Sequence, residues 1–419
     1  MNAAGCMKAL CMAGRIILEN GGETYRAEDT VRRMARALGL SEADAFAIPS
    51  GLFISFTDEN GEPKTSLNRV YLRGTHLARV DRVNQISRML SDGLIDPDEL
   101  IDALTEASHI GRGRPWWWMP LAAFITAAGF AVMFGGGWID ILLGGFCAAM
   151  TQVVPRILPK SESSTGMTGT LLGGLVCAFI PLVFHALTGL GVTEAIIASA
   201  IMPLVPGLSM TNAVQDILRG DMVSGVAHCA RAVMVAAMVA GGALIGTFLS
   251  VAIGLSAQSQ AMTSTLPVLW QAVLLLPASF LAGAGFGMLQ SAPPKAVVWG
   301  GVLGMIGYMA YWVFMQLGAT EAPAMFLGML IAAIGAQISA RVIKMISTVF
   351  VTISMMPMVP GLGLYRAMSA LAQGDLMQGG SVGAHTMLLI LMIAMGIGLA
   401  SSIAGMRSTK SSRHKGRMH

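Results

Sequence analysis

The chain has 419 residues, 54% of them hydrophobic and 12% charged, with a formal net charge of +4. That composition excludes an ordinary soluble globular protein and fits a polytopic membrane protein. The small positive excess resides in membrane-flanking residues and a basic tail, so it calls for no nucleic-acid partner.

The charges are unevenly placed. Residues 1–115 hold 14 of the 27 Lys/Arg and 16 of the 23 Asp/Glu, which marks residues 1–114 as a soluble domain ahead of a membrane domain. Residues 1–20 contain Asn2, Lys8, Arg15 and Glu19 and no uninterrupted apolar core. This is unlike a signal peptide, and the domain is expected to stay on the side where it is made. Helical apolar spacing covers 3–18 and 23–38; in the second, Val31, Met34, Ala35 and Leu38 share a face. Strands are predicted over 52–57 and 65–73 around the turn Asp58 to Gly61. Helices return over 80–92 and 97–109, the latter opened by Asp96, Pro97 and Glu99. The domain reads as small and α+β. The five cysteines, Cys6, Cys11, Cys147, Cys177 and Cys229, form no CxxC pair and have no His cluster beside them, which argues against a disulfide framework, a metal site or a metal cofactor.

From Pro115 onward apolar runs follow one another over 116–135, 138–156, 168–188, 191–206, 227–254, 266–289, 296–317, 322–340, 343–358 and 382–405. Those near 20 residues can cross a bilayer. The fold class is thus an α-helical polytopic membrane protein of about ten transmembrane helices. They fall into two five-helix repeats, 115–255 and 266–406, followed by a basic tail, 407–419. The repeat is written in the residues. MPLVPGLSMTNAVQDILRGDMVSG at 202–225 and MPMVPGLGLYRAMSALAQGDLMQG at 356–379 match at 10 of 24 positions without a gap. Shorter matches run at nearly the same offset, such as Gly144 and Gly145 with Gly300 and Gly301.

Five crossings per repeat make the repeats inverted. With the soluble domain cytoplasmic, the inner flanks receive Arg112, Arg114, Arg156, Lys160, Arg219, Arg231, Lys295, Arg341, Lys344 and the tail, and only Arg366 is left outside. This positive-inside pattern places both termini in the cytoplasm. The outer connections 135–138, 256–265 and 318–323 contain no Lys or Arg.

The short fourth and ninth helices each run into a Pro-Gly break, Pro206-Gly207 and Pro360-Gly361. Interrupted helices in corresponding places point to a transport site. A helix restarting after the first break leaves free N–H groups suited to a carboxylate. Thr211 and Asn212 add neutral hydrogen bonders, and Asp216 is placed to meet an ammonium group or carry a proton. In the second copy Tyr365 and Arg366 replace Thr211 and Asn212, and Ala370 replaces Asp216. The acid in one copy and the guanidinium in the other would suit a zwitterion, or an anion moving with a proton. Both segments also read as interfacial loop-helices, with Asp221 and Asp375 as caps. Asp216, Asp221, Asp375 and His185 are the candidate proton carriers. His228 and His385 read as interfacial, and Asp140, Glu194 and Glu321 as solvated near outer ends. No HExxH, GxSxG or Walker loop occurs, which argues against an enzyme and against ATP-driven pumping by this chain.

The N-terminal Gly21 or Gly22, Glu23, Thr24, Tyr25 and Arg26 form a G-x-E-T-x-R pattern. Pro206, Gly207, Thr211, Asn212, Ala213, Asp216, Gly220 and Asp221 form P-G-x-x-x-T-N-A-x-x-D-x-x-x-G-D. Together with Pro360, Gly361, Tyr365, Arg366, Ala367, Gly374 and Asp375, the chain resembles the threonine/serine exporter family over nearly its whole length. The resemblance implies a multi-pass protein of the bacterial plasma (inner) membrane that exports L-threonine and L-serine, driven by the proton motive force. The family also includes proteins split into two subunits and associated with succinate export, so a dicarboxylate is the alternative cargo. A non-transporting membrane sensor or scaffold is the second alternative. Expected partners are the small-molecule substrate, protons and the bilayer; a homo-oligomer is compatible with all three readings. Glu23, Thr24 and Arg26 read either as a gating or regulatory contact or as an acidic helix start on a charged face.

Overall fold

The computed structural model describes residues 1–58, 60–70, 74–157, 165–255 and 267–415. The expected outer connection 256–265 and Lys160 lie outside them. The N-terminal part runs α1 (Ala3–Glu19), α2 (Thr24–Ala37), β1 (Ser41–Ile48), β2 (Gly51–Thr57), β3 (Pro63–Arg69), α3 (Leu77–Ser91) and, after a 3-10 turn at Pro97–Glu99, α4 (Leu100–His109). Asn2 caps α1 by accepting from the Gly5 N–H, and Asp96 caps the turn by accepting from the Asp98 N–H. The three strands form one antiparallel sheet in chain order. Ala45, Ala47, Leu52, Ile54 and Phe56 are buried on its inner face, as period-two alternation requires. The sheet has one strand more than the sequence reading supplied. β1 is Ser-Glu-Ala-Asp-Ala-Phe-Ala-Ile, poor in β-branched residues, and it is held by pairing along β2 rather than by its own propensity.

The rest is helical: α5 (Trp118–Met133), α6 (Trp138–Ile157), α7 (Thr165–Thr188), α8 (Thr193–Ile201), α9 (Gly207–Leu218), α10 (Met222–Ala252), α11 (Val268–Leu289), α12 (Pro294–Gln316), α13 (Glu321–Ile343), α14 (Ser347–Met355), α15 (Gly361–Ala372) and α16 (Leu376–Lys415). Among the described residues seven helices are long and apolar enough to cross a membrane, eight if the bent pair of α14 and α15 counts as one span. The remaining apolar segments, α5 and the one containing α8, are shorter. This is a multi-pass membrane protein.

Element order and packing repeat. α5 packs on α6, α7 on α10, α6 on α8 and α9 on α10; α11 packs on α12, α13 on α16, α12 on α14 and α15 on α16. The halves meet through α5 with α11, α10 with α15 and α9 with α16. Glycine allows the closest approaches. A Cβ on Gly174 would strike the Val239 backbone, and one on Gly242 would run into the backbone of Leu171 and Leu175.

The N-terminal domain sits on one end of the helical domain. The N–H groups of Leu77 and Ala78 donate to the carbonyls of Gln290 (2.9 Å) and Ser291 (3.1 Å) between α11 and α12. The Ile346 N–H donates to Asp81 Oδ1 at 3.1 Å. His76 lies beside Gly111 in the connection to α5, both ring nitrogens buried and without a hydrogen bond among the described residues. Burial, then the Arg79 and Arg114 guanidinium groups, push its imidazole from 6.5 down to about 4.

Two predictions follow from this packing. Gly242→Ala should overpack the contact of α7 with α10 by about 1–3 kcal/mol and lower the melting temperature of the purified protein. Gly241→Ala, with nothing within 4 Å of its Cβ, should leave it unchanged; equal effects would contradict the packing account. His76 packed against Gly111 takes up its proton only near 4 against an ordinary 6.5, so falling pH disfavours that packing between those values and has no effect above them. Proteolysis of the connection at 110–117 should be flat above pH 6.5 and accelerate toward pH 4. His76→Gln should remove that acceleration.

Candidate substrate site

Both copies break in the same way. After α8 and α14, 3-10 turns at Met202–Leu204 and Met356–Met358 lead to extended residues, Val205 (ψ 131°) and Val359 (ψ 124°). Each precedes a proline, which has no N–H to continue the helix and forces its predecessor out of the α region. The Val205 N–H donates to the Met202 carbonyl (3.1 Å) and Val359 to Met356 (3.2 Å). Gly207 then donates to Val205, and Gly361 to Val359, both at 2.8 Å. The second pair bends by 59°. The restarted helices also end alike. Gly220 (φ 88°) and Gly374 (φ 86°) take the left-handed conformation, and Asp221 and Asp375 donate back to the carbonyls of Asp216 (2.9 Å) and Ala370 (3.0 Å).

The breaks lie against each other. A Cβ on Gly361 would meet Val205 at 2.7 Å and Met202 Sδ at 3.0 Å, while one on Gly207 would meet Met356 Sδ at 3.6 Å. The broken pairs run in opposite directions. Glu194, in the first turn of α8, forms an ion pair with Arg366 of α15. At the other end the N-terminal domain touches both Asp216 near the end of α9 and Thr348 at the start of α14.

Beside the first break lies a cavity of about 200 Å³, lined by Pro206, Gly207, Ser209 and Asn212, by His228 and Arg231 of α10, by Gln290, and by Gly21, Gly22 and Thr24 from the N-terminal domain. It is smaller than the roughly 300–1,000 Å³ pockets of drug-sized ligands, a size for a small metabolite. Asn212 is buried; its Nδ2 donates to the Gly21 carbonyl at 3.3 Å, and its Oδ1 accepts nothing among the described residues. Asp216 is fully buried. Its Oδ1 accepts from the Thr24 hydroxyl at 3.2 Å, while Oδ2 accepts no hydrogen bond among the described residues and lies 3.7 Å from His228 Nε2. Buried acceptors without donors cost about 1–3 kcal/mol each. Arg231 is exposed and makes no ion pair among the described residues. Among those residues no group of three or more His, Cys, Asp or Glu is placed to hold a metal.

The segment from Gly21 to Arg26 closes the cavity. The Thr24 hydroxyl also reaches Asp221 Oδ2 at 2.9 Å. Glu23 is 1% exposed and pairs with Arg26 Nε at 2.7 Å. Burial raises the Glu23 carboxyl, but the Arg26 charge and hydrogen bonds overcome it and hold the carboxyl below its ordinary value. Arg26 also donates to the Thr348 hydroxyl, and the Arg219 guanidinium stacks 3.3 Å from the centre of the Tyr25 ring. Breaking a buried pair of this kind costs about 3–5 kcal/mol. These residues do start a helix, with Glu23 at the N-cap position of α2, but Glu23 and Thr24 are buried.

The residues singled out from sequence therefore separate. Pro206, Gly207 and Asn212 line the cavity, whereas Asp216, one turn beyond Asn212 on α9, does not; the side chain of Thr211 lies outside the described residues. Gly361 and Pro360 form the facing break. Tyr365 packs on the apolar core, and Arg366 is held by Glu194 rather than placed at the cavity. Asp221 and Asp375 cap α10 and α16 by accepting from Ser224 (3.1 Å) and Gln378 (2.9 Å). His185 bonds the Leu190 carbonyl at the far end of α7. Asp140 is not solvated: it is buried, accepting from the N–H groups of Gly137 and Val192, both at 2.8 Å. Glu321 pairs with His385 at 3.4 Å. The sequence reading assigned no cavity role to His228 and Arg231, although His228, Arg231 and Val235 recur at helical spacing on one face of α10.

Residues 8–250 match the family model described as putative threonine/serine exporter, and residues 276–403 match that of threonine/serine exporter, ThrE. The chain is 24% identical over 415 residues to the threonine/serine exporter of Corynebacterium glutamicum, covering 96% of this chain and 81% of that one. It is 23% identical over 374 residues to a probable threonine/serine exporter of Mycobacterium tuberculosis, covering 87% and 70%. Its similarity to the probable succinate transporter subunit YjjP of Klebsiella aerogenes is 25% over 222 residues, covering 51% of this chain and 82% of that one. No solved structure matches. With family models covering both the N-terminal domain and the second set of helices, the chain belongs to the threonine/serine exporter family.

Proposed function

We propose that this protein exports threonine or serine across the bacterial plasma membrane in exchange for protons, by alternating access of two inverted five-helix halves. The observation that carries the reading is the pair of buried acceptors on α9, Asn212 Oδ1 and, one turn further along the helix, Asp216 Oδ2, left without donors among the described residues. An α-ammonium group supplies three donors. The cargo carboxylate would meet Arg231 and the first-turn N–H groups of α9, which carry the positive end of the helix dipole. Asp216, buried beside His228, is then the proton carrier: an ionisable group in this setting is functional by default.

In this reading residues 1–114 are a cytoplasmic domain, 115–255 and 266–406 are the halves, and 407–419 is a cytoplasmic tail. The opposed directions of the broken pairs support the inversion. Thr24, Tyr25 and Arg26 close the inner end, and Arg366 with Glu194 closes the outer end. Rocking one half against the other would open one end at a time. A dicarboxylate such as succinate is the second reading, favoured by the YjjP similarity and by the unpaired Arg231.

Cells loaded with a threonine dipeptide should lose threonine more slowly when the gene is deleted. Asp216→Asn should cut complementing efflux at least ~10-fold, the effect of losing about 1.4 kcal/mol. Arg231→Ala should raise the half-saturating concentration more than it lowers the maximal rate. Unchanged threonine efflux with altered succinate efflux selects the dicarboxylate. If Asp216→Asn and Arg366→Ala leave every flux untouched, the protein is not a transporter.

A further inference from the structure

We infer that Thr24 is a built-in stand-in for the cargo: in the closed state the N-terminal domain places its own threonine hydroxyl on the Asp216–Asp221 pair that takes the hydroxyl or ammonium donors of the transported amino acid. The inference rests on the exporter reading above and adds a specificity determinant and a mode of regulation to it.

Thr24 is fully buried, 192 and 197 residues from its two partners, and its Oγ1 lies 3.2 Å from Asp216 Oδ1 and 2.9 Å from Asp221 Oδ2. It lines the cavity, as do Gly21 and Gly22 just before it. Gly21 (φ 86°) allows the turn that delivers Thr24, and the Gly21 carbonyl takes the Asn212 amide. The neighbours of Thr24 anchor it from outside, through Tyr25 on Arg219 and Arg26 on Thr348.

Donor counting explains why this arrangement is a stand-in rather than a permanent joint. One hydroxyl has a single proton to give, yet it faces two carboxylates, and Asp216 Oδ2 and Asn212 Oδ1 remain without a donor. A free hydroxy amino acid brings an ammonium and a hydroxyl, and so satisfies more of the same acceptors. Cytoplasmic cargo therefore competes with the domain for the site. Low cargo leaves the inner end shut, and rising cargo releases the segment. The carboxylate pair selects a side chain that can donate a hydrogen bond.

Hydrogen–deuterium exchange of the purified full-length protein tests this. Thr24→Val keeps the shape and removes the hydroxyl. Without any ligand it should raise exchange of residues 22–30 roughly tenfold, the size of a lost hydrogen bond to a charged group, while Thr24→Ser should restore protection. Added L-threonine should raise exchange of the same segment in the wild type, the reverse of ordinary ligand protection, and L-alanine should do so less. Unchanged exchange in Thr24→Val overturns the stand-in. If L-threonine shifts the melting temperature but leaves exchange at 22–30 unchanged or lower, the stand-in fails and the exporter reading survives. If L-threonine changes neither, while Thr24→Val still loosens the segment, the exporter reading fails and the stand-in falls with it.

Discussion

A proline inside an apolar helix leaves the backbone with a problem that lipid cannot solve. The hydrogen-bond ladder is interrupted, and no water is present to take the freed groups. In this chain the problem occurs twice, and the two breaks lie against each other. Gly207 faces Met355 and Met356, and Gly361 faces Met202 and Val205, so each irregular stretch is shielded by protein. The cavity lies beside the first of these breaks, with Gly207 and Ser209 of the first turn of α9 in its wall.

The two broken segments are alike in backbone and unlike in side chains. At one end, Asp216 and Asp221 face Thr24 of the N-terminal domain. At the other, Arg366 holds Glu194. Both contacts are made by charged or hydrogen-bonding groups. The N-terminal domain is joined to the helices through backbone hydrogen bonds, a stacked guanidinium and the hydrogen bonds of Thr24 and Arg26, and its buried apolar residues are continuous with those of the helices.

Much of this was legible in the residues. Apolar runs near 20 residues located the long helices, since hydrocarbon thickness sets their length. Pro206-Gly207 and Pro360-Gly361 announced the breaks, because proline and glycine act through local backbone geometry. Pairing across long separations was not legible. Nothing near Thr24 tells that it meets Asp216, and nothing near Arg366 tells that Glu194 waits for it rather than a substrate. Asp140 looked solvated from its place at a helix end, yet it satisfies the backbone of a neighbouring turn. β1 was missed because its strand conformation comes from β2. Arg231 was visible only as a flanking charge, although its spacing from His228 puts both on one face of α10.

The central claim is that the cavity beside the first break is a binding site for a small zwitterion. Calorimetric titration of the purified protein with L-threonine and with succinate tests it most directly. The account predicts saturable threonine binding that Asp216→Asn and Asn212→Ala both weaken, with succinate bound more weakly or not at all. Saturable succinate binding without threonine binding, or threonine binding indifferent to both substitutions, would contradict it.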